Sequence, residues 1–390
     1  MKKEKIEMVW NQKKVCQKED TTFLNAKAIE FHKSLSAYQK TPLVCLKNLA
    51  EKLDVNNIFI KDESFRFGLN AFKVLGASYA IANYISQKTG QNIKEVLKTK
   101  VEPTTFVTAT DGNHGRGVAW TAKQLGQKAV VYMPKGSSQE RLNNIIAEGA
   151  EAKITNMNYD DAVRFSEQKA KENGWIVVQD TAWEGYTDIP TWIMQGYTTM
   201  GQEIMEQLQG QKITHIFLQA GVGSMAGAIT GFFVNHYQEE KPVIAVVEPT
   251  KADCLYQTAK ANDGTLHCVT GDMNTIMAGL ACGEPCSIGW NILKNYAEAF
   301  FRCPEYIAAD GMRILAAPVK GDAAVISGES GAAGFGCMVN ILQDKALEEM
   351  KNKLKLDKNS NILCISTEGD TDAQNYQNVV WGGKYSKFEN

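Results

Sequence analysis

The sequence is short of most features that would direct it to a membrane, to nucleic acid or to a metal. No stretch approaches the roughly 18 uninterrupted apolar residues of a membrane span. The formal charge is only −2, and no basic run is interleaved with aromatics. That leaves no electrostatic case for nucleic acid or an anionic lipid surface as a partner. The five histidines are dispersed, so no dedicated metal site is expected. There are only nine prolines, no low-complexity linker and no internal repeat, so any domains are closely joined rather than tethered. The opening "MKKEKIEMVWNQKK" is charged and lacks the apolar core of a signal peptide, which makes the cytoplasm the expected location.

Paired cysteine motifs are absent too. The nine cysteines are Cys16, Cys45, Cys254, Cys268, Cys282, Cys286, Cys303, Cys337 and Cys364, with no CxxC among them. Scattered free thiols in a reducing compartment are the expectation, and a pairing within the group from Cys254 to Cys303 stays open.

What is present is alternation. The runs "NIFIK", "TTFVTA", "KAVVYM", "EAKIT", "GWIVVQ", "HIFLQA", "PVIAVVE", "AAVIS" and "NILCIS" read as short buried strands. Helix-like stretches lie between them, at 71–87, 114–126, 138–149, 159–173 and 191–209. Such alternation predicts an α/β fold of parallel sheets with helices on both faces. At 390 residues the chain has room for two domains. Open sheets of this kind bind ligands beyond the C-terminal strand ends, so those junctions are where chemistry is sought.

Three junctions stand out. In "KDESFRFGLNAFK" a polar loop runs into a helix expected to begin near Ala71, with Asn70 as its cap and Lys73 in the first turn. The macrodipole and the apolar neighbours Phe72 and Val74 would disfavour an ammonium there and suit the amine to imine formation. A lone helical lysine is more often a solvated surface residue. In "TATDGNHGRGVAW", Thr110, Asp111 and Asn113 crowd a glycine-containing turn able to hold a carboxylate, although an incidental turn with an aspartate cap is the plainer reading. In "QAGVGSMAGAITGFF", Gly221, Gly223 and Ser224 offer backbone N–H groups to a phosphate, and a tight turn explains the same glycines. The spacing is GxGxxxG rather than a dinucleotide GxGxxG, and no Walker lysine follows. Taken together, an imine-forming lysine, an anion-binding turn and a phosphate cradle suggest pyridoxal 5′-phosphate, which needs all three.

The order of landmarks resembles the fold-type II pyridoxal-phosphate enzymes, the threonine and serine dehydratase superfamily. The landmarks are "TPL" at 41–43, "NAFKVLGA", "DGNHG", "GVGSM" and "CISTEG", and the resemblance spans about residues 41 to 370. Dehydratases usually carry a small residue where this sequence has Asp111. "KDESFRFGLNAFK", "TDGNHGRGVAW" and "QDTAWEGYTDIP" are instead similar to the diaminopropionate ammonia-lyases, which convert both enantiomers of 2,3-diaminopropionate to pyruvate and two ammonia. Charge agrees: Asp111 would repel a substrate carboxylate but attract a second substrate ammonium. An L-serine or L-threonine dehydratase that happens to carry Asp111 is the alternative.

The resemblance implies roles. Lys73 would hold the cofactor as an imine and serve as base for the L-isomer, with Asp111 as base for the D-isomer. Asp180, at the end of "GWIVVQD", would assist or bind the amine, although capping the next turn would also explain it. Thr110, Gly112 and His114 would join Asp111 and Asp180 around the substrate. Asn113 would bond the cofactor's 3′-oxygen, and Gly221, Val222, Gly223, Ser224 and Met225 would cradle its phosphate. Thr367, or Ser366, would meet the ring nitrogen, although the family's Ser-Gly-Gly-Asn is here Thr367-Glu368-Gly369-Asp370. The stretches "TIMAGLACGEP" and "GESGAAG", the latter with Glu329, are open as cofactor neighbours, and Trp183, Trp192 and Trp290 are expected in core or interface. The implied architecture is two α/β domains with the cofactor between them. Residues 1–74 and 191–390 would form the larger, with 1–38 as an extension, and 75–190 a smaller mobile one. A homodimer is implied as well.

Overall fold

The structure is a computed structural model, and it describes residues 4–12, 21–25, 28–110 and 112–387. Asp111 and Cys16 lie outside the described residues. The strands are β1 (Glu7–Trp10), β2 (Leu43–Cys45), β3 (Asn57–Asp62), β4 (Thr105–Ala109), β5 (Lys128–Met133) and β6 (Glu151–Ile154). They continue as β7 (Ile176–Val177), β8 (His215–Gln219), β9 (Val243–Pro249), β10 (Ala299–Cys303) and β11 (Asn361–Ser366).

Among the described residues these strands form two sheets. The larger has the order β1-β10-β9-β8-β11-β3-β2, and the smaller β6-β5-β4-β7. The smaller sheet is parallel throughout. The five central strands of the larger sheet are parallel, while β1 and β2 close its edges antiparallel. Both faces of the larger sheet are buried, and the side chains say so by alternation. Ile216 and Leu218 of β8, with Leu363 and Ile365 of β11, pack into one core. Phe217, Ile362 and Cys364 pack into the other, against Phe335 and Met338 of the helix Glu329–Gln343.

Three expectations need correction. "AAVIS" is no strand: Val325 donates its N–H to the Leu315 carbonyl at 2.9 Å, so the segment runs along a helix rather than joining a sheet. The helix after Asn70 begins only at Val74, with Lys73 at its N-cap position and no side-chain cap. Asn70 instead takes a left-handed conformation (φ 60°) and donates its side-chain amide to Asp370 Oδ1 at 3.0 Å. Finally, β1, β2 and β10 were not anticipated.

The topology gathers strand ends. β8, β11 and β3 are neighbours, so their C-terminal ends deliver the Gly221 loop, Thr367 and the loop to Lys73 to one place. β4 and β7 are neighbours in the smaller sheet and deliver Thr110–His114 and Asp180 opposite. The helix Asn113–Gln124 lies directly on the Lys73 segment: a Cβ at Gly117 would stand 2.9 Å from Val74 Cα.

Candidate active site

A cavity of about 720 Å³ opens where these strand ends meet. Lys73, Thr110, Asn113, His114, Asp180 and Thr367 line it, together with Gly221, Val222, Gly223, Ser224 and Met225. Gly112 sits against the Arg141 side chain and gives its N–H to Thr110 Oγ1 at 3.0 Å.

The Lys73 amine is hydrogen-bonded to Asp180 Oδ2, so an anion, as well as the apolar Phe72 and Val74, surrounds it. Burial would raise the Asp180 carboxyl, but Lys73 and then His114 bring it down to about 2. Tyr159 donates to Asp180 Oδ1 at 3.4 Å, and the Ser224 hydroxyl donates to the Asp180 backbone carbonyl at 2.5 Å. Burial, then the charge of Asp180, pushes the Tyr159 hydroxyl well above its usual range. His114 Nε2 meets the Val178 carbonyl at 2.8 Å.

The opposite wall is the glycine turn between β8 and the helix Ser224–Tyr237. Gly223 has φ +97°, and a Cβ there would meet Leu255 Cδ1 at 3.1 Å, so only glycine makes this turn without strain. The turn gives the cavity a helix N-terminus with its positive dipole end. A monoanionic or dianionic phosphate fits that cradle, an amine able to form an imine lies in the same cavity, and a hydroxyl-bearing strand end completes the set. These residues fit pyridoxal phosphate.

Thr367 Oγ1 accepts from Gln219 Nε2 at 3.0 Å, and Gln219 Nε2 also reaches the Ile365 carbonyl at 2.8 Å. Ser366 turns away to Ser327 at 2.8 Å. Thr275, Gly279 and Cys282 of "TIMAGLACGEP" and Glu329 and Ser330 of "GESGAAG" all line the cavity. Trp183 stacks on Tyr186 with centroids 4.2 Å apart, while Trp192 and Trp290 pack against the main core. The described cysteines are all free.

Arg141, Tyr159 and Asn375 carry no signal in their own segments, whereas Gln219 and Glu368 stand at the strand ends within "QAGVGSM" and "CISTEG"; the strand-end rule applied to "KAVVYM" and its loop would have reached Arg141. Glu329 and Glu368 are both nearly fully buried in this wall. Burial, then the charge of Glu368, raises the Glu329 carboxyl to about 7, and Arg141 opposes the rise. Asn375 donates its side-chain amide to Glu329.

Comparison with known proteins decides the kinship. The model of the pyridoxal-phosphate-dependent enzyme family matches residues 35–368. The chain belongs to that family. It is 52% identical over 369 residues to the diaminopropionate ammonia-lyase of Salmonella typhimurium, covering 91% of each chain. The Escherichia coli K12 enzyme of the same name is 52% identical over 366 residues, covering 92% of each. Among solved structures, holo diaminopropionate ammonia-lyase from Escherichia coli superposes with TM-score 0.93 at 47% identity, covering 99% of both chains. The same enzyme with an aminoacrylate-PLP azomethine reaction intermediate gives 0.92 at 48% identity, covering 98% of both. A threonine deaminase from Solanum lycopersicum, 19% identical with TM-score 0.72 and covering 96% of both chains, shares the fold. The fold is that of the fold-type II enzymes of this family, as the order of motifs implied.

Proposed function

We propose that the chain is a carbon–nitrogen lyase that eliminates ammonia from 2,3-diaminopropionate, of either hand, yielding pyruvate and two ammonia. The observation that carries this is the Lys73–Asp180 pair set in a cavity that also holds the glycine turn at a helix N-terminus. Lys73 would hold the cofactor covalently, the Gly221–Met225 turn its phosphate, Asn113 its ring oxygen and Thr367 its ring nitrogen. Because Gln219 donates to Thr367 Oγ1, the threonine keeps its own O–H to donate to a neutral ring nitrogen. When bound, pyridoxal phosphate supplies the electron sink that makes an amino acid's α-proton removable near neutral pH.

The chain's own groups do the rest. Lys73, once free of its covalent task, takes the α-proton of the L-isomer. Asp111 takes that of the D-isomer from the opposite face. Asp180, ionised down to about pH 2 beside Lys73, is the anion against which a substrate ammonium is held. Thr110, Gly112 and His114 bound the substrate on the small-sheet side. The β-nitrogen leaves protonated, as ammonia, and hydrolysis of the remaining enamine gives pyruvate and the second ammonia. Serine has no second ammonium for Asp111 and Asp180 to hold, which disfavours the dehydratase alternative.

The two sheets support a division into residues 1–74 and 191–390 as one domain and 75–190 as a smaller one that tilts to close the cleft. The exposed apolar side chains of Phe65, Ile326 and Trp381 are surface a second copy would cover, in keeping with a homodimer. Free thiols at every described cysteine suit the cytoplasm.

The test is pyruvate formation by the purified protein with D- and L-diaminopropionate and with L-serine, alongside its absorbance spectrum. Turnover of both diamine isomers with a visible band that shifts on substrate addition is expected. Turnover of serine alone would overturn the substrate assignment.

A further inference from the structure

Glu368 follows directly on Thr367 and is buried, with three donors converging on its carboxylate. Asn113 Nδ2 reaches Oε2 at 2.5 Å, Thr371 Oγ1 reaches Oε2 at 3.3 Å, and the Ser330 backbone N–H reaches Oε1 at 3.1 Å. Its backbone is fixed as firmly. Glu368 is bridged antiparallel to Ala71, and the flanking bonds run from Phe72 N–H to the Thr367 carbonyl (3.1 Å) and from Gly369 N–H to the Asn70 carbonyl (3.0 Å). One residue therefore joins the segment Asn70–Phe72, which leads into Lys73, to the amide of Asn113, which follows the C-terminal end of β4 in the smaller sheet.

We infer that Glu368 is the positioning residue for Asn113, orienting its amide so that an N–H rather than a carbonyl oxygen is presented to the cofactor's ring oxygen. The inference rests on the role given to Asn113 above. An asparagine amide has one donor end and one acceptor end of almost equal shape, and nothing in its own bonds decides which way it turns. A carboxylate is an acceptor only, so the end that meets Glu368 must be the nitrogen. That nitrogen carries two N–H bonds. Glu368 takes one, and the other remains for an oxyanion in the cavity that Asn113 lines. The bond also crosses between the two sheets, so this orientation is imposed only when both walls are in register. Thr371, which accepts from Arg141 Nη2 at 3.3 Å, holds the carboxylate from the far side.

Glutamine at 368 keeps the shape and loses the compulsion. It offers one oxygen to donors that now use two, so its NH₂ must face either Ser330 N–H or the Asn113 amide, and the latter can turn over to satisfy it. The experiment is a double-mutant cycle on the cofactor-loaded enzyme with E368Q, N113A and both together. Three quantities are read: the position of the visible absorption band, the dissociation constant for pyridoxal phosphate, and the Tm. Expected for E368Q is a shifted band and a dissociation constant about tenfold higher, the size of one charge-assisted hydrogen bond. In the N113A background the same change should add no further shift and less than about twofold in affinity. Equal effects of E368Q in both backgrounds, or none in either, would overturn the inference while leaving Asn113 its role. An N113A protein with unaltered band and affinity would remove the role of Asn113 and the inference with it. E368Q is preferred to E368A because it fills the same buried space, and a matching Tm shows that the fold is kept.

Discussion

Lys73 and Asp180 come together from points 107 residues apart in the chain, one from the larger-sheet side and one after β7 of the smaller sheet, as an amine hydrogen-bonded to a carboxylate. Each is anchored independently. Lys73 stands at the start of the helix Val74–Thr89, and Asp180 gives its backbone carbonyl to the Ser224 hydroxyl of the Gly221–Met225 turn. The pair thus fixes the distance between the Lys73 amine and the helix entry.

Separating the two aspartates by isomer is the sharpest prediction about mechanism. Asp111→Asn should lower kcat for D-diaminopropionate by about 10²-fold or more while leaving the L-isomer within a few-fold, the usual worth of one general base. Asp180→Asn should lower turnover of both isomers, because in the proposed function Asp180 faces the ammonium that both carry. Steady-state kinetics on the two enantiomers decide it. Equal losses for both isomers in Asp111→Asn would remove its assignment to one face.

Gly223→Ala should cost both stability and cofactor affinity. The residue has φ +97° and an added Cβ would press on Leu255 at 3.1 Å, so the turn must relax and its N–H groups lose their aim. Backbone strain of this kind is worth about 1–3 kcal/mol, hence a roughly ten- to hundredfold rise in the dissociation constant for pyridoxal phosphate. An absorbance titration of the protein without cofactor measures it.

Behind the active site, Lys61, Glu63, Arg66 and Glu203 form a charge-balanced cluster that water does not reach. Lys61 Nζ meets Glu203 Oε2 at 2.7 Å, and Arg66 bonds Glu203 twice, at 2.9 and 2.8 Å. Burial works against the Glu203 charge, yet Arg66 and Lys61 hold its carboxyl down at about 2. Glu203→Ala leaves two buried cations sharing one carboxylate and should destabilise the protein by about 3–5 kcal/mol. Since Arg66 lies in the loop that leads to Lys73, cofactor binding should weaken as well. Urea denaturation of the variant and the parent gives the first figure. A loss under about 1 kcal/mol would mean that water enters and replaces the missing partner.

What the sequence made legible follows one rule. Lys73, Asn113, the Gly221–Met225 turn, Asp180 and Thr367 each lie just beyond a strand's C-terminal end, where local glycine and strand patterns mark the place. Arg141 and Asn375 carry no such mark, and Gln219 and Glu368 stand at marked strand ends without showing what they bond: the partners of Glu368, Gln219, Arg141 and Asn375 are 255, 148, 230 and 46 residues away, and only folding brings them together. Edge strands were hidden for another reason. "EMVW" and "LVC" are short and half-exposed, so they lack the continuous apolar run by which the central strands announce themselves. "AAVIS" has that run, but Val325 bonds the end of the helix Glu305–Ala316 rather than a strand. The residue type of Asn70 suggests a cap, whereas its left-handed backbone and its bond to Asp370 make it part of the turn that brings Lys73 to Thr367.

The carboxylate pair of the cavity wall gives a pH signature. Glu329 ordinarily titrates at 4.5, and in the folded protein burial and then Glu368 raise it to about 7. A raised carboxyl binds its proton more tightly when folded, so its stabilising effect is complete below 4.5 and is lost as pH rises to 7. Glu329→Gln stays neutral at every pH and keeps an oxygen for the Asn375 amide. The variant should therefore match the parent near pH 4.5 and gain on it up to pH 7, by at most about 3 kcal/mol, and level off beyond. Asp180 does not confuse the reading. Its carboxyl is lowered from 3.8 to about 2, so its contribution is full above 3.8 and fades only below that window. Denaturant unfolding of parent and variant at pH 5, 6, 7 and 8 gives the curve. A stability difference that does not change over that range would mean that Glu329 is ionised throughout, and that Arg141 outweighs Glu368 and the cost of burial.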